Sequence, residues 1–338
     1  AVGVAPDGRR LEVVEADVSR LGSRLAASPW RRLAREVETV IHCAGETTFF
    51  PEAMAAFRAG HVDGPLCLLG ELGRGRLRRW VQLSTAYVCG RRSGPVFEHD
   101  GDVGQRFHNP YEAVKLGAET ALRGAGAEMG VDVRVVRPSI VVGPAPETAG
   151  GSPSNLFFAF IRLVVALAER ANGAPVPLRI VAAPAARLNI VPVEYVAAAV
   201  VALADHPEGA RATVHAVVSD APTQETMLGM IGGRVGLRGV SLVDARSGPL
   251  PHPSALERRI TRMLAAYREY LEQDVSFDDA TAERLLTPWG VPRPTLSPEA
   301  VHRLIDQALV GCVSPGTAGR AEEPGPFEIR ISAGVGRV

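Results

Sequence analysis

The sequence predicts an α/β fold in which a doubly wound parallel sheet is covered by helices on both faces. Three observations predict it. Short β-branched runs alternate with helix-length segments, each run breaks into a small or polar loop at its C-terminal end, and the longest helix carries a cap signature at its start. In chain order, 11–14 is a short apolar strand ending at Glu15-Ala16-Asp17, and 30–36 reads as a helix. Residues 39–42 form a second strand broken by Cys43-Ala44-Gly45. The segment 51–69 places Met54, Phe57, Leu66 and Leu69 at helical intervals, with Gly60, Gly64 and Pro65 making that helix irregular. A third strand, 80–83, runs into Ser84-Thr85-Ala86-Tyr87-Val88, and a polar loop follows to His108. Asn109 caps a helix with Pro110 in its first turn, where the missing N–H costs nothing, and that helix extends to about Met129. A buried strand over 131–136 stops at Arg137-Pro138. Beyond Gly143, Pro144, Pro146, Gly150, Gly151 and Pro153 make a flexible crossing to an apolar helix at 155–170. Strands near 188–191 and 213–218 follow, with helices at 193–203, 255–273 and 298–310, and from Gly311 the tail reads as loose.

The composition narrows the function classes. With 46% hydrophobic residues in 338, the chain fills a core of more than one layer. Acidic and basic residues balance at 37 each, so no overall field holds nucleic acid or an anionic membrane, and a small molecule is the expected partner. Cys43, Cys67, Cys89 and Cys312 lie far apart without metal-ligand spacing, which points away from zinc and a disulfide framework and towards a reducing, cytoplasmic setting. The most apolar run, 156–168, carries Arg162 and falls short of the ~20 residues that span a bilayer.

Lys115 is the only lysine, so 36 of the 37 basic residues are arginine. It stands four residues after Tyr111, on the same helix face one turn away. With five tyrosines and one lysine, that spacing arises by chance in roughly 1.5% of cases, which disfavours accident. An ammonium beside a phenol favours the phenolate and lowers the tyrosine pKa, as a general acid working near neutrality requires. Arginine is a poor substitute, because its guanidinium is wide and forked whereas an ammonium donates in several directions from a point. Thr85 lies where a strand ends, at the rim where parallel sheets bind ligands, and its hydroxyl is placed to hydrogen-bond a carbonyl oxygen gaining charge. Taken alone, a threonine there reads as a turn residue.

Six segments in this order resemble the extended short-chain dehydrogenase/reductases: Glu15-Ala16-Asp17-Val18, Val40-Ile41-His42-Cys43-Ala44-Gly45, Ser84-Thr85-Ala86-Tyr87-Val88-Cys89-Gly90, Tyr111-Glu112-Ala113-Val114-Lys115, Arg137-Pro138-Ser139-Ile140-Val141-Val142-Gly143 and Val191-Pro192-Val193-Glu194-Tyr195-Val196. Within that superfamily, 84–88 and 192–196 resemble the fatty acyl-CoA reductases and thioester reductase domains, with their male-sterility-type NAD-binding domain. The resemblance implies a Rossmann-type sheet and a catalytic triad of Thr85, Tyr111 and Lys115. It further implies that Asp17 and Val18 border the adenine, Ala44 and Gly45 the cofactor ribose, and Pro138, Ser139 and Ile140 the nicotinamide. The implied cofactor is NADPH in preference to NADH, and no metal is called for. The implied substrate is an acyl thioester, on coenzyme A or a carrier protein, reduced to aldehyde or alcohol.

Two features depart from the family. His61 stands where the family usually has Asn, and the chain is read as holding no GxxGxxG anywhere, with Gly3 and Gly8 not following a strand. Such a turn holds a pyrophosphate on free helix N–H groups, so the expectation is a sheet lacking its first βαβ unit and weak dinucleotide binding until an upstream strand and turn are supplied. The missing strands would lie between the 11–14 and 39–42 strands. The expected division is an incomplete NAD(P)-binding part with the triad over 1–143, a smaller substrate-binding part over 144–310 with 188–218 returning to the sheet, and a tail over 311–338. The apolar 156–168 helix, with Leu256, Ile260, Met263 and Leu264, is expected to wall an acyl pocket. Two rivals remain: a nucleotide-sugar epimerase or dehydratase with the same triad, and an inactive relative acting as a binding protein.

Overall fold

The computed structural model describes residues 12–17, 28–143, 156–313 and 328–331; Val18, the crossing at 144–155 and the tail segments 314–327 and 332–338 lie outside the described residues. The chain runs through β1 (Glu12–Glu15), α1 (Ser28–Glu36), β2 (Thr39–His42), α2 (Met54–Arg58), a π-turn (Ala59–Asp63), α3 (Gly64–Gly73) and β3 (Arg79–Leu83). A 3₁₀ turn (Ala86–Cys89), β4 (Gly94–Val96), α4 (Pro110–Met129), β5 (Asp132–Pro138) and β6 (Ile140–Val142) follow. Then come α5 (Leu156–Ala171), β7 (Leu178–Ala182), β8 (Ile190–Pro192), α6 (Val193–Asp205), β9 (Thr213–Ala216), α7 (Gln224–Val235) and β10 (Val240–Asp244). The chain continues with α8 (Ala255–Met263), α9 (Arg268–Glu272), β11 (Val275–Phe277), α10 (Ala280–Leu286), α11 (Pro298–Val313) and β12 (Glu328–Ile331).

The central layer is a parallel sheet in the order β2-β3-β5-β9, with Leu83 opposite Val136 and Pro138 opposite Ala216. Its inner strands are largely buried on both faces, and the buried Arg134 and Arg137 of β5 are held by hydrogen bonds to carbonyls and carboxylates. Trp80 and Val133 face one side and pack with Leu68, Leu69 and Leu72 of α3 and Leu122 of α4. Val81, Val136 and Val214 face the other and pack with Ala199 and Leu203 of α6. The expected two-faced, Rossmann-like arrangement is therefore present, and β9 brings the 213–218 region back to the sheet.

Three further parallel pairs lie outside this sheet: β6 with β8, β7 with β10, and β4 with β11. The last of these ties the 89–108 loop to the C-terminal part. At the other end, β2 is the sheet's edge, and β1 pairs antiparallel with β12 rather than with β2. The tail is thus not wholly loose: α11 runs on to Val313 and residues 328–331 form a strand.

The expected acyl-pocket wall is corrected. Phe157, Ile161, Val164 and Leu167 of α5 are buried in the main core, as are Ile260 and Leu264, whereas Met263 is exposed. A small apolar cavity of about 20 Å³ lies between Phe157, Phe160, Ile180, Leu242 and Leu271. An unbroken apolar helix reads the same whether it lines a pocket or fills a core, and here packing decided. The 255–273 helix is also broken, into α8, a 3₁₀ turn and α9.

Candidate active site

The carbonyl ends of β2, β3 and β5 bring most of the expected residues together. Beyond β3, Ser84 N–H donates to the Val136 carbonyl at 2.8 Å, which carries the sheet register one residue into the loop. Thr85 follows in extended conformation, capping the 3₁₀ turn: its Oγ1 accepts from Tyr87 N at 3.2 Å and donates to the Pro138 carbonyl at 3.5 Å. The hydroxyl therefore serves the turn, and it also stands beside the end of β5. Ser139 is buried there, and its Oγ has no hydrogen-bond partner.

Tyr111 and Lys115 lie in the first turns of α4. Asn109 Oδ1 accepts from Glu112 N at 3.2 Å, Pro110 opens the helix and Gly130 ends it in the left-handed conformation, as the cap signature implies. Lys115 Nζ sits 6.0 Å from the centre of the Tyr111 ring and donates to the Leu83 carbonyl at 2.8 Å. Burial draws the Lys115 pKa down to about 8, opposed by Glu119 one turn on. The same burial pushes the Tyr111 phenol up to about 12, with the Glu112 carboxylate adding to it. In the protein alone the Tyr111 pKa thus lies above its ordinary value, where the Lys115 spacing suggests a fall, because burial disfavours the phenolate.

The anchor of α4 is a buried ion pair. Glu119 accepts from Arg137 Nη2 at 2.6 Å and from the Ser84 hydroxyl, and Arg137 Nη1 also reaches the Asp100 carbonyl at 2.8 Å. One turn of α4 is thereby fixed to β5 and to the loop that holds Thr85.

His61 fills the space between α4 and the loop after β2. It lies in the π-turn just ahead of Pro65, which has no N–H to return to the His61 carbonyl, so the helix is interrupted there. Its buried ring donates from Nε2 to the Glu46 carbonyl at 2.9 Å, stands edge-on to Tyr111 and packs against Phe57. Burial first, and then the Lys115 charge, hold its pKa near 4, so it is neutral at neutral pH. Gly45 has φ +157°, and a Cβ on it would meet His61 Cε1 at 2.6 Å. Only glycine passes there.

Several residues of this region are invisible to motif reasoning. Phe49 lies 6.2 Å from the Tyr111 ring and also touches Tyr267 and Tyr270, both from beyond residue 260. Tyr270 packs on Tyr87 and His108. Spacing gives no hint of these contacts, which join four of the chain's five tyrosines, Tyr87, Tyr111, Tyr267 and Tyr270, to Phe49 or to one another.

The set fits the ribose and nicotinamide half of a dinucleotide. Lys115 has ammonium donors beyond its single bond to Leu83, Ser139 offers an unpartnered buried hydroxyl, and Ala44 and Gly45, just after β2, carry little or no side chain of their own. Ile140 N–H is already used by the Asn189 carbonyl at 3.3 Å. Asp17 is half-buried just after β1, and its neighbour Ala16 packs against the cluster that Ala44 also touches. The expectation that no GxxGxxG occurs is corrected: one stands at Gly233, Gly236 and Gly239, but it leads out of α7 and into β10. A pyrophosphate turn needs the reverse order, strand into helix.

A family model described as "Male sterility protein" matches residues 6–200. Among curated proteins, a trichosetin synthetase PKS-NRPS from Gibberella fujikuroi is 27% identical over 158 residues, covering 46% of this chain and 4% of that protein. Among solved structures, the terminal R domain of the myxalamid PKS-NRPS biosynthetic pathway superposes with a TM-score of 0.68 at 19% identity, covering 89% of this chain and 74% of that one. A thiolation-reductase di-domain from an archaeal non-ribosomal peptide synthetase gives 0.65 at 17% identity, covering 88% and 61%. RMD from Pseudomonas aeruginosa, complexed with NADPH, gives 0.60 at 18% identity, covering 87% of each. At these identities the structural likenesses establish the fold. No helix among the described residues is long and apolar enough to cross a membrane.

Proposed function

The chain belongs to the male sterility protein family of NAD(P)-dependent oxidoreductases, and from that premise we propose that it reduces an acyl thioester, with Thr85, Tyr111 and Lys115 as its proton-handling residues. The observation that carries the reading is the geometry at α4: the lone lysine and a tyrosine share one turn, facing the loop that holds Thr85 at the carbonyl end of β3.

When bound, NAD(P)H supplies the hydride for the thioester carbonyl carbon. Tyr111 Oη, protonated throughout the physiological range, delivers a proton to the carbonyl oxygen. Thr85 Oγ1 turns from the Pro138 carbonyl, a bond already long at 3.5 Å, to donate to that oxygen as charge builds on it. Lys115 keeps a positive charge below the phenol, lowering the cost of the phenolate left behind, and its remaining donors hold ribose hydroxyls. Asp17 and Val18 bound the adenine side, Ala44 and Gly45 the ribose, and Pro138, Ser139 and Ile140 the nicotinamide. Collapse of the hemithioacetal then gives aldehyde and free thiol.

The thioester reading draws support from the reductase domains among the similar structures, one of them joined to a thiolation domain, and this favours a carrier-bound substrate over coenzyme A. NADPH is the proposed reductant, as the family resemblance implies; the similar structures include both NADPH- and NAD-bound proteins. The test is NADPH consumption by the full chain with octanoyl-coenzyme A and with an octanoyl-loaded carrier protein, trapping the aldehyde. Consumption with the carrier-bound thioester and aldehyde formation are expected. Turnover of a UDP- or dTDP-sugar, with none of either thioester, overturns the reading.

A further inference from the structure

The Glu112 carboxylate is fully buried at the entry of α4, next to Tyr111, and yet it belongs to no part of the chemistry described above. Every neighbour on its oxygens is a donor. His108 N–H reaches Oε2 at 2.9 Å, His108 Nδ1 lies 3.0 and 3.1 Å from the two oxygens, and the Tyr270 hydroxyl donates to Oε1. Tyr270 is itself held from the other side, accepting from Asn109 Nδ2 at 2.6 Å. The cap residue of α4, its acidic third residue and a tyrosine of α9 thus form one closed hydrogen-bonded ring.

The partners lie 158 and 161 residues apart in the chain, so the ring joins two parts that sequence does not. Phe49 packs tilted against the Tyr270 ring at 5.5 Å and against the Tyr111 ring at 6.2 Å. Glu269, one residue earlier on α9, pairs with Arg91 at 2.9 Å and approaches His108 Nε2 at 4.0 Å. A simple core would fill this space with apolar side chains; burying a carboxylate is costly unless it is paired and hydrogen-bonded, as here.

We propose that Glu112 is a positioning residue for Tyr111: gripped by the Tyr270 hydroxyl, its carboxylate locks α9 to the catalytic helix and so holds the Tyr111 ring in place. This rests on the reading of Tyr111 as the proton donor. The ring supplies the location, since Tyr270 cannot leave Glu112 without taking a donor from a buried carboxylate and leaving it to His108 alone. Burial first, and then the carboxylate one residue away, raise the Tyr111 pKa, so the same ring that places the phenol also disfavours its ionisation. The titratable groups facing the pair are His61 and Lys115 around Tyr111, and His108, Tyr270, Tyr87 and Cys89 around Glu112.

The test uses the full chain with meta-fluorotyrosine in all five tyrosine positions, read by fluorine NMR, with Tyr111→Phe assigning the Tyr111 signal. Ring fluorination also brings phenol ionisation into an accessible pH range. Tyr270→Phe keeps the ring and removes the hydroxyl, and it should shift or broaden the Tyr111 signal. Glu112→Gln keeps the shape and removes the charge, and it should move Tyr111 ionisation to lower pH. In turnover, Tyr270→Phe should cut kcat at least about tenfold with KM within about twofold, and the double variant Tyr270→Phe/Glu112→Gln should recover part of that loss, because no buried carboxylate is then short of a donor. A Tyr111 signal and titration unchanged in both single variants overturns the proposal, even where melting temperatures fall. The NMR arm needs no substrate, so absence of thioester turnover by the wild type sinks the proposed function and leaves this inference to be decided by the spectra.

Discussion

Lys115 donates its hydrogen bond to the carbonyl of Leu83, 2.8 Å away, and stands 6.0 Å from the centre of the Tyr111 ring. The sheet, through the last residue of β3, therefore fixes the ammonium that the neighbouring phenol needs. Tyr111→Phe and Lys115→Arg should each lower turnover at least tenfold, a loss of ~1.4 kcal/mol or more in transition-state stabilisation, while circular dichroism stays that of the wild type. For Lys115 the stability effect has the opposite sign. Its folded pKa of about 8 lies below the ordinary 10.5, so folding releases protons between these values. Its contribution is most favourable above pH 10.5 and is lost as pH falls through 8. Lys115→Met should accordingly stabilise the fold at pH 7, by up to about 3 kcal/mol, and the advantage should shrink as pH approaches 10.5. Urea melts across that range check it.

Gly45→Ala should be destabilising by about 1–3 kcal/mol, since its Cβ would press on the His61 ring from a backbone conformation that L side chains rarely adopt. Removing the obstacle in Gly45→Ala/His61→Ala should cost less than the sum of the two single changes. Thermal melts of the four proteins measure that coupling, and additivity would show that the contact does not matter.

Arg137→Met leaves the Glu119 carboxylate buried without its main partner and should cost about 3–5 kcal/mol. Arg137→Met/Glu119→Leu removes both charges and should recover much of this loss. Because Glu119 is also held by Ser84, the single variant should additionally weaken NADPH binding by loosening the loop before Thr85, which a fluorescence titration reads.

Phe157→Ala and Phe49→Ala separate core from cleft. Phe157 is buried in the main core, so its truncation should cost about 3–5 kcal/mol and leave chain-length preference among acyl thioesters unchanged. Phe49 leans on Tyr111, Tyr267 and Tyr270, so its truncation should raise KM for the thioester more than it lowers stability. The reverse pattern would restore α5 as the substrate wall.

Sequence alone determined what depends on local spacing. The Asn109-Pro110 start, the Tyr111 and Lys115 face and the strand ends at Thr85 and Pro138 follow from helix and strand periods and from cap chemistry, and each stands where spacing put it. Even the interruption of the 51–69 helix was legible, because Pro65 lacks an amide hydrogen wherever it folds. Tertiary structure alone decided what depends on which surfaces meet. It turned the apolar α5 from an expected pocket wall into core, because hydrophobicity marks burial without saying against what. It raised the Tyr111 pKa where the neighbouring lysine suggested a fall, because desolvation is a property of the packed state. It also joined Glu112 to Tyr270 across 158 residues, a hydrogen bond that no local period encodes and only the docking of α9 on α4 creates.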